Sequence, residues 1–404
     1  MPTDPRRVAG KPPAARRPPP SQPAGSRGRG RLATSRARPG LVVAAVVVIF
    51  AGLLVARHLR GAPTSHGAPP APAAVQLSVA FARCAFFDPS RPTEDYVTRT
   101  STPGRRIVSD IYYPAYELAT GGRARPGELT PAERAPHPTV FFVGGYDVDP
   151  SRYVALLTSW VRTGIVVVAL EPPDANEAAV AKSGGSFADE ADIPNQPADV
   201  AFATRRVLAD SAGHASGCRA LRGLVDPSEI GLAGQSDGAT TVAMLAYDQG
   251  SAPGGATSYP SLAAGLHYRA VAAMSGSAYG DDPYAAPAGS PSLLVVQSAT
   301  DTCNTPLQSV DLYSALPVPQ RWFLGLRHAR HLTPYEGQAA AAFGVVAKVT
   351  SAFLAGELRG KDPGAALLVA GNADPAVAAL TSGASVPPFV EVPATQSAAS
   401  CYAT

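Results

Sequence analysis

Charged residues are scarce in this chain. Asp, Glu, Lys and Arg make up 16% of its 404 residues, against roughly 25% of an average soluble domain. Hydrophobic residues make up 46%, which excludes a chain that is disordered throughout. The 38 glycines and 41 prolines follow no three-residue repeat, so a collagen-like triple helix is excluded and Pro-rich stretches must be local.

Acidic residues are almost missing from the first 60 positions, which hold Asp4 and 12 Lys or Arg. Residues 61–404 carry 22 basic and 30 acidic side chains, a net charge of −8. The isoelectric point of about 8.7 therefore belongs to the N-terminal segment. The charge of the remaining chain gives no support for nucleic-acid binding, and we expect no nucleic-acid partner.

Large apolar residues are nearly absent from residues 1–40, which are rich in Pro, Arg, Gly and Ser. Such a segment cannot bury enough surface to offset the entropy of ordering the chain, so we predict a disordered basic tail. Residues 41–56 (LVVAAVVVIFAGLLVA) form an uninterrupted apolar run, at the lower end of the roughly 17–25 residues that cross a bilayer. We predict a transmembrane helix over 41–57 and a Pro/Ala-rich linker over 58–74.

The orientation of this segment follows from its flanking charges. Ten Lys and Arg precede the apolar run, while Arg57 and Arg60 follow it closely. The positive-inside bias keeps the N-terminus in the cytoplasm, which predicts a single-pass protein of the cell membrane with an extracytoplasmic domain. A cleaved signal peptide and a buried core helix are the alternatives. No cysteine follows the run before Cys84, which argues against a lipid-modified N-terminus.

Residues 75–404 contain no internal repeat, and we interpret them as one α/β domain. Short β-rich runs recur at 107–113, 139–143, 165–170, 230–233, 270–274, 293–297 and 322–326, and helical stretches at 152–163, 198–209, 238–247, 307–314 and 339–358. Apolar residues at consecutive strand positions indicate burial on both faces. We therefore expect a mostly parallel central sheet with helices on both faces, and ligands beyond the carboxyl ends of its strands.

A candidate nucleophile lies between a predicted strand and a predicted helix. The stretch Gly234-Gln235-Ser236-Asp237-Gly238 is the only G-x-S-x-G in the chain. A tight strand-to-helix turn exposes such a serine, and its flanking glycines avoid collisions with neighbouring elements. An ordinary Gly-rich loop is the alternative, but the strand–turn–helix context favours Ser236 as a nucleophile.

A serine nucleophile needs a base and an acid, which follow it in the order acid, then histidine, on this kind of turn. Of the seven histidines, only His328 and His331 come late enough. Asp301 follows the predicted strand 293–297 and is the favoured acid, with Asp281 and Asp282 as alternatives. The residues alone do not choose between the two histidines. No third metal ligand has a suitable spacing, so we expect no metal and no organic cofactor.

An oxyanion hole requires backbone N–H groups aimed at the developing charge. One is expected from Asp237, the residue after the nucleophile. The other is expected from Tyr146, because the glycines of Gly144-Gly145-Tyr146 let the backbone approach a substrate after the strand 139–143. The alternative is a plain glycine turn with the Tyr146 side chain packed on the surface.

The chain has four cysteines, an even number that suits two disulfides in an exported domain. Cys303 lies two residues after Asp301, and Cys401 lies in the tail after the last predicted helix. We therefore favour a Cys303–Cys401 bridge, which leaves Cys84–Cys218. Buried free thiols are the alternative.

From about residue 86 to residue 358 the chain resembles the serine α/β hydrolases related to bacterial cutinases, dienelactone-hydrolase-like proteins and platelet-activating-factor acetylhydrolases. The resemblance lies in the stretches 88–93 (DPSRPT), 112–115 (YYPA), 144–146 (GGY), 195–200 (NQPADV) and 234–238, in Asp301 and in the terminal histidine loop. It implies the α/β-hydrolase fold. The tail His331-Leu332-Thr333-Pro334 matches the pattern around the catalytic histidine of the cutinase-like members, which favours His331 over His328.

The sequence departs from this family at four positions. Gln235 stands where the family usually has His, Asp237 where an apolar residue is frequent, Ala239 where Gly is common, and His328 where the loop usually has Gly. An extra carboxylate and the neighbouring Arg327 and Arg330 can shift the pKa of the base. These changes bear on rate and substrate more than on the set Ser236, Asp301 and His331.

Together these patterns predict a membrane-anchored, extracytoplasmic serine hydrolase that cleaves small-molecule or lipid-like carboxylic esters through an acyl-enzyme. Two alternatives stay open: a peptidase or amidase with the same three residues, and a hydrolase-like domain without activity that serves as a binding or scaffold module.

Overall fold

The computed structural model describes residues 78–115, 136–182, 187–253, 258–389 and 392. The predicted tail over 1–40, the predicted transmembrane helix over 41–57 and the predicted linker over 58–74 lie outside these residues. Their existence and the membrane location stay predictions.

A nine-stranded sheet forms the centre of the described chain. Its strands are β1 (Ser78–Asp88), β4 (Arg105–Ala115), β5 (His137–Val143), β6 (Val166–Glu171), β7 (Val225–Gln235), β8 (Tyr268–Met274), β9 (Ser292–Ser298), β10 (Arg321–Leu326) and β11 (Ala378–Ser382), in the spatial order β1-β4-β6-β5-β7-β8-β9-β10-β11. The six strands from β6 to β10 are parallel, and β1, β4 and β11 pair antiparallel at the two edges. Two short strands, β2 (Thr93–Asp95) and β3 (Thr100–Thr102), form a separate hairpin.

Nine α-helices connect the strands in the described part of the chain. They are α1 (Val154–Val161), α2 (Glu177–Lys182), α3 (Gln196–Ser211), α4 (Asp237–Tyr247), α5 (Tyr259–Leu262), α6 (Pro306–Ala315), α7 (Thr333–Glu336), α8 (Ala340–Leu358) and α9 (Gly364–Gly371). The predicted helix over 152–163 divides into a 3-10 turn, Pro150–Tyr153, and α1. The other four predicted helices agree with α3, α4, α6 and α8 to within two residues at each end.

Both faces of the sheet are covered. Alternate residues of β5 point to opposite sides, and the two sides belong to different hydrophobic clusters. Phe141 packs in the cluster that includes Val200 of α3 and Val242 of α4. Phe142 packs in the cluster that includes Trp160 of α1 and α8. Consecutive apolar residues therefore mark strands buried on both faces, and the expected mixed α/β arrangement with a mostly parallel sheet is confirmed.

One helix in the described part of the chain, α8, is long and apolar enough to cross a membrane. Its Val346, Val349 and Phe353 side chains are fully buried in the cluster that covers one face of the sheet. A helix with this packing fits the core of a folded domain, and it says nothing about the segment 41–57.

A buried cluster of charges fixes the segment that precedes β7. Arg105 of β4 is 1% exposed and contacts Asp192 at 2.7 Å, Asp199 at 2.6 Å and Asp174 at 3.2 Å. Arg91 also contacts Asp199, at 2.6 Å. Burial raises the pKa of Asp174 well above its ordinary value, and the charge of Asp192 raises it further. The cluster attaches β4 to the start of α3 and to the 3-10 helix Phe187–Asn195.

The predicted Cys84–Cys218 disulfide is present, with a Cα–Cα distance of 5.7 Å. It joins edge strand β1 to the segment after α3, 134 residues further along the chain. Cys303 is disulfide-bonded as well, and its predicted partner Cys401 lies outside the described residues. The alternative of free thiols is therefore wrong for Cys84, Cys218 and Cys303.

Candidate active site

Ser236 lies on a tight turn between β7 and α4. Its backbone has φ 56° and ψ −123°, a strained conformation for a non-glycine residue. A Cβ on Gly234 would lie 2.1 Å from the Gly238 carbonyl oxygen, and a Cβ on Gly238 would lie 2.0 Å from the Val143 carbonyl oxygen. The two glycines are therefore required by backbone contacts on each side of the serine. The Ser236 N–H donates to the Met274 carbonyl at 2.9 Å, which holds the turn against β8.

The three residues proposed from the sequence come together at the carboxyl ends of the strands. Ser236 Oγ lies 2.8 Å from His331 Nε2, and His331 Nδ1 lies 2.8 Å from Asp301 Oδ2. All three side chains are buried, with exposed fractions of 5%, 3% and 0% for the residues Ser236, His331 and Asp301. The hydroxyl, the imidazole and the carboxylate thus form one continuous hydrogen-bonded line.

Further donors hold the Asp301 carboxylate in place. Gln297 Nε2, at the end of β9, donates to Asp301 Oδ2 at 3.2 Å, and the Cys303 backbone N–H donates to Oδ1 at 2.9 Å. Ser309 Oγ of α6 donates to Gln297 Oε1 at 2.7 Å, which orients the Gln297 amide. Each oxygen of the Asp301 carboxylate therefore accepts a hydrogen bond that holds the group in place.

Hydrogen bonds directly join the loop that contains Asp301 to the loop that contains His331. The hydroxyls of Ser298 and Thr300 donate to the Ala329 carbonyl at 2.7 and 2.9 Å, and both lie 3.1 Å from the Ala329 N–H. This pairing sets the spacing between Asp301 and His331. His328 is exposed, as are the alternative acids Asp281 and Asp282, and the hydrogen bond to Ser236 Oγ comes from His331.

Asp301, Cys303 and His331 each have a potential ligand atom within 4.8 Å of the other two. Cys303 is disulfide-bonded and so has no thiolate to offer, although the thiolate is the form that binds metals. His331 and Asp301 are hydrogen-bonded to each other. The chemistry of this donor set does not fit a metal centre.

The loop after β5 lies next to the nucleophile. A Cβ on Gly145 would lie 3.1 Å from the Ser236 Cβ, so this backbone approaches the serine as closely as a glycine allows. The Gly145 N–H donates to the Tyr153 hydroxyl at 3.0 Å. The next N–H along the loop is that of Tyr146, whose side chain is 2% exposed and packs with Ala175 and Val180. The alternative of a Tyr146 side chain on the surface is therefore wrong.

Asp237 is the first residue of α4, where a backbone N–H has no acceptor within its own helix. The carboxyl oxygen Oδ2 of the same residue is buried and has no hydrogen-bond partner among the described residues. Burial, with a smaller contribution from the charge of Glu190, raises the pKa of this carboxyl to about 7. A carboxyl with a raised pKa and an unpaired buried oxygen thus lies directly after Ser236.

The contacts that three polar residues make around these groups were not expected from the sequence. Gln297 interrupts an apolar strand at its carboxyl end, and a polar residue at that point of a parallel strand is a usable signal. Tyr153 and Gln235 contact each other across 82 positions, and no local pattern indicates that contact.

Comparison of the chain with models of protein families finds no match, and comparison with curated proteins finds none either. The resemblance to serine α/β hydrolases stays a prediction, and the geometry of the site carries the functional argument.

Proposed function

We propose that this chain is a serine hydrolase of the α/β-hydrolase fold that cleaves carboxylic esters through an acyl-enzyme. One observation carries the proposal: Ser236 Oγ, His331 and Asp301 form a hydrogen-bonded line with 2.8 Å at each step. An arrangement of nucleophile, base and orienting acid is the geometry that activates a serine hydroxyl.

In the acylation step, Ser236 Oγ attacks the ester carbonyl carbon while His331 Nε2 takes the hydroxyl proton. The carbonyl π electrons move to the oxygen, which becomes an oxyanion. Collapse of this tetrahedral intermediate breaks the bond to the alcohol oxygen, and His331 gives its proton to that oxygen. Asp301 keeps the ring oriented and stabilises the imidazolium. The products of this step are the free alcohol and the acyl-enzyme on Ser236.

In the deacylation step, a water molecule takes the place of the alcohol. His331 Nε2 accepts a water proton as the water oxygen attacks the acyl carbon. The second intermediate collapses, the acid leaves, and Ser236 regains its proton from His331. We assign the oxyanion in both steps to the backbone N–H groups of Asp237 and Tyr146, which lie on the two segments that adjoin the serine.

The fold supports this assignment. The nucleophile follows β7 near the middle of a mostly parallel sheet, and the acid and the base follow β9 and β10. All three groups therefore lie at the sheet edge where ligands of open α/β sheets bind. The strained φ of Ser236 between close-packed glycines is a property of a nucleophile elbow.

The site is proposed to face the outside of the cell, on the domain anchored by the predicted helix over 41–57. The Cys84–Cys218 bridge supports an oxidising compartment. The proposed substrates are small-molecule or lipid-like carboxylic esters.

Turnover of a series of p-nitrophenyl esters by wild type and Ser236→Ala tests the reaction class. We expect hydrolysis by wild type and a rate at the uncatalysed level for Ser236→Ala. p-Nitroanilides with the same acyl groups provide the comparison with amides: faster cleavage of the anilides favours a peptidase or amidase. A folded wild-type protein that turns over neither series favours a binding or scaffold module.

A further inference from the structure

The side chain of Gln235, directly before the nucleophile, connects two loops of the site. It is completely buried. Its Oε1 accepts a hydrogen bond from the Tyr153 hydroxyl at 2.7 Å, and its Nε2 lies 3.3 Å from His331 Nε2. The Tyr153 hydroxyl in turn accepts from the Gly145 N–H at 3.0 Å. A line of hydrogen bonds therefore runs from the loop after β5 to the base.

The orientation of the Gln235 amide follows from the single proton of the Tyr153 hydroxyl. Because this hydroxyl accepts from Gly145, its own proton is donated to the nearest acceptor, which is Gln235 Oε1. The amide nitrogen, which can only donate, then faces His331. The Gln235 side chain also packs closely against the Gly145 backbone, since a Cβ on Gly145 would lie 2.7 Å from Gln235 Oε1.

This orientation acts together with Asp301 on the choice of the ring nitrogen of His331 that carries the proton. An amide N–H can only donate, so Nε2, 3.3 Å away, must present a lone pair to it. The Ser236 hydroxyl, 2.8 Å from the same nitrogen, can then donate its proton there. The proton therefore lies on Nδ1, where Asp301 Oδ2 accepts it at 2.8 Å. The Nδ1–H tautomer is the one that can act as a general base toward Ser236.

We propose that Gln235 is a positioning residue that holds the neutral His331 ring in its Nδ1–H tautomer and couples the base to the oxyanion loop through Tyr153. This inference rests on the proposed function, because it assigns a role within the same site. Once the ring has taken the serine proton, Nε2–H faces the Gln235 amide N–H. The amide keeps the hydrogen bond that it donates to the His331 carbonyl oxygen, 3.4 Å away. The contact between the amide N–H and the ring is thus available only while Nε2 keeps its lone pair.

A second contact joins the same two segments without touching the ring. Arg152, one residue before Tyr153, forms an ion pair with Glu336 of α7, five residues after His331. Arg152→Gln removes this ion pair and leaves the Gln235 contacts in place. Arg152→Gln therefore serves as the matched control. It shows the effect of a weaker connection between the two segments while the contact of Gln235 with the His331 ring is kept.

The kinetic test compares wild type, Gln235→Glu, Gln235→Met and Arg152→Gln on one ester across pH. In Gln235→Glu a carboxylate oxygen replaces the amide N–H beside Nε2 and favours a protonated nitrogen. We expect the acid limb of the pH profile of kcat/KM to shift to higher pH by about one unit. We also expect kcat to fall about 10-fold with little change in KM. Gln235→Met lacks the donor and should move the limb in the same direction by less. Arg152→Gln should leave the limb in place.

A readout without turnover is the long-range ¹H–¹⁵N correlation spectrum of the full-length protein labelled with ¹⁵N-histidine. The His331 signals are those lost in His331→Gln. We expect the Nδ1–H tautomer in wild type and a protonated Nε2 in Gln235→Glu at the same pH. An Nε2–H tautomer in wild type overturns the proposal, as does an equal shift of the acid limb in Gln235→Glu and Arg152→Gln. In a protein without esterase activity, loss of the Nδ1–H tautomer in Gln235→Glu but not in Arg152→Gln contradicts the proposed function and supports the role of Gln235.

Discussion

Gly238 lies against Val143 so closely that a Cβ on the glycine would be 2.0 Å from the Val143 carbonyl oxygen. This contact packs the first turn of α4 onto the end of β5, and so brings the segment after Ser236 next to the loop that contains Tyr146. Backbone atoms cannot move aside as the end of a flexible side chain can. The position of the proposed nucleophile relative to its proposed oxyanion loop therefore depends on the absence of a side chain at 238.

Gly238→Ala should lower the free energy of unfolding by about 3 kcal/mol, because the new methyl group displaces α4 or β5. Chemical denaturation of the purified protein measures this. Gly344→Ala in α8 is the matched control, since its Cβ meets no atom within 4 Å, and it should stabilise the helix by roughly 0.5–1 kcal/mol. A Gly238→Ala protein with the unfolding midpoint of wild type would show that the contact is not rigid.

Removal of the Arg105 guanidinium should be strongly destabilising. Arg105→Met leaves Asp174, Asp192 and Asp199 buried without their shared cation, and loss of one partner of a buried ion pair costs about 3–5 kcal/mol. Its neighbour Arg106 is exposed on the same strand, so Arg106→Met should stay within about 0.5 kcal/mol of wild type. Equal unfolding midpoints for the two variants would contradict a structural role of the cluster.

The Asp237 carboxyl should make the domain less stable as the pH rises. Its pKa is about 7 in the folded protein and 3.8 in a model peptide, so between about pH 4 and pH 7 the folded state holds a proton that the unfolded chain releases. The free energy of unfolding falls through this window, by an amount on the order of 4 kcal/mol if the whole shift is expressed. Glu190, Tyr153 and Tyr279 are the titratable groups that interact electrostatically with this carboxyl.

Asp237→Asn removes the titration and should raise the thermal midpoint at pH 8 while changing it little at pH 4. Melting curves at both pH values check the sign. An equal effect of the substitution at pH 4 and pH 8, or a lower midpoint at pH 8 only, would contradict the assignment of the raised pKa.

Asp301→Asn tests the role of the acid. The amide keeps the shape of the carboxyl group but cannot hold the Nδ1–H tautomer of His331 as a carboxylate does, so kcat on an ester should fall roughly 10³–10⁴-fold. Asp281→Asn, on an exposed loop residue, is the control and should keep the wild-type kcat. If Asp281→Asn lost activity and Asp301→Asn kept the wild-type kcat, Asp301 would not be the acid.

The sequence predicts the central strands well and the edges poorly, for a physical reason. β5, β8, β9 and β10 are buried on both faces, so their apolar residues stand at consecutive positions. Edge strand β1 pairs on one side only, and residues such as Arg83 and Phe87 face solvent. Its mixed composition gives no clear period, and β11 has only five residues.

The residues of the candidate site also differ in how well the sequence predicts them. Ser236 and Asp301 stand in a local context, a turn after a strand, that indicates their position. The choice of His331 over His328 came from the resemblance, and burial of one ring and exposure of the other decide it in the structure. The Gln235 amide, in contrast, depends on a tyrosine 82 positions earlier and a histidine 96 positions later. Contacts of this range are set by the packed fold and leave no trace in a short sequence window.

The most direct test of the proposed function is covalent labelling of the folded, full-length protein with a fluorophosphonate, followed by peptide mass mapping. We expect one adduct per chain, located on Ser236 within the peptide that spans β7 and α4, and no adduct in Ser236→Ala. An adduct that persists in Ser236→Ala, or a folded wild-type protein that takes up no label, would contradict it.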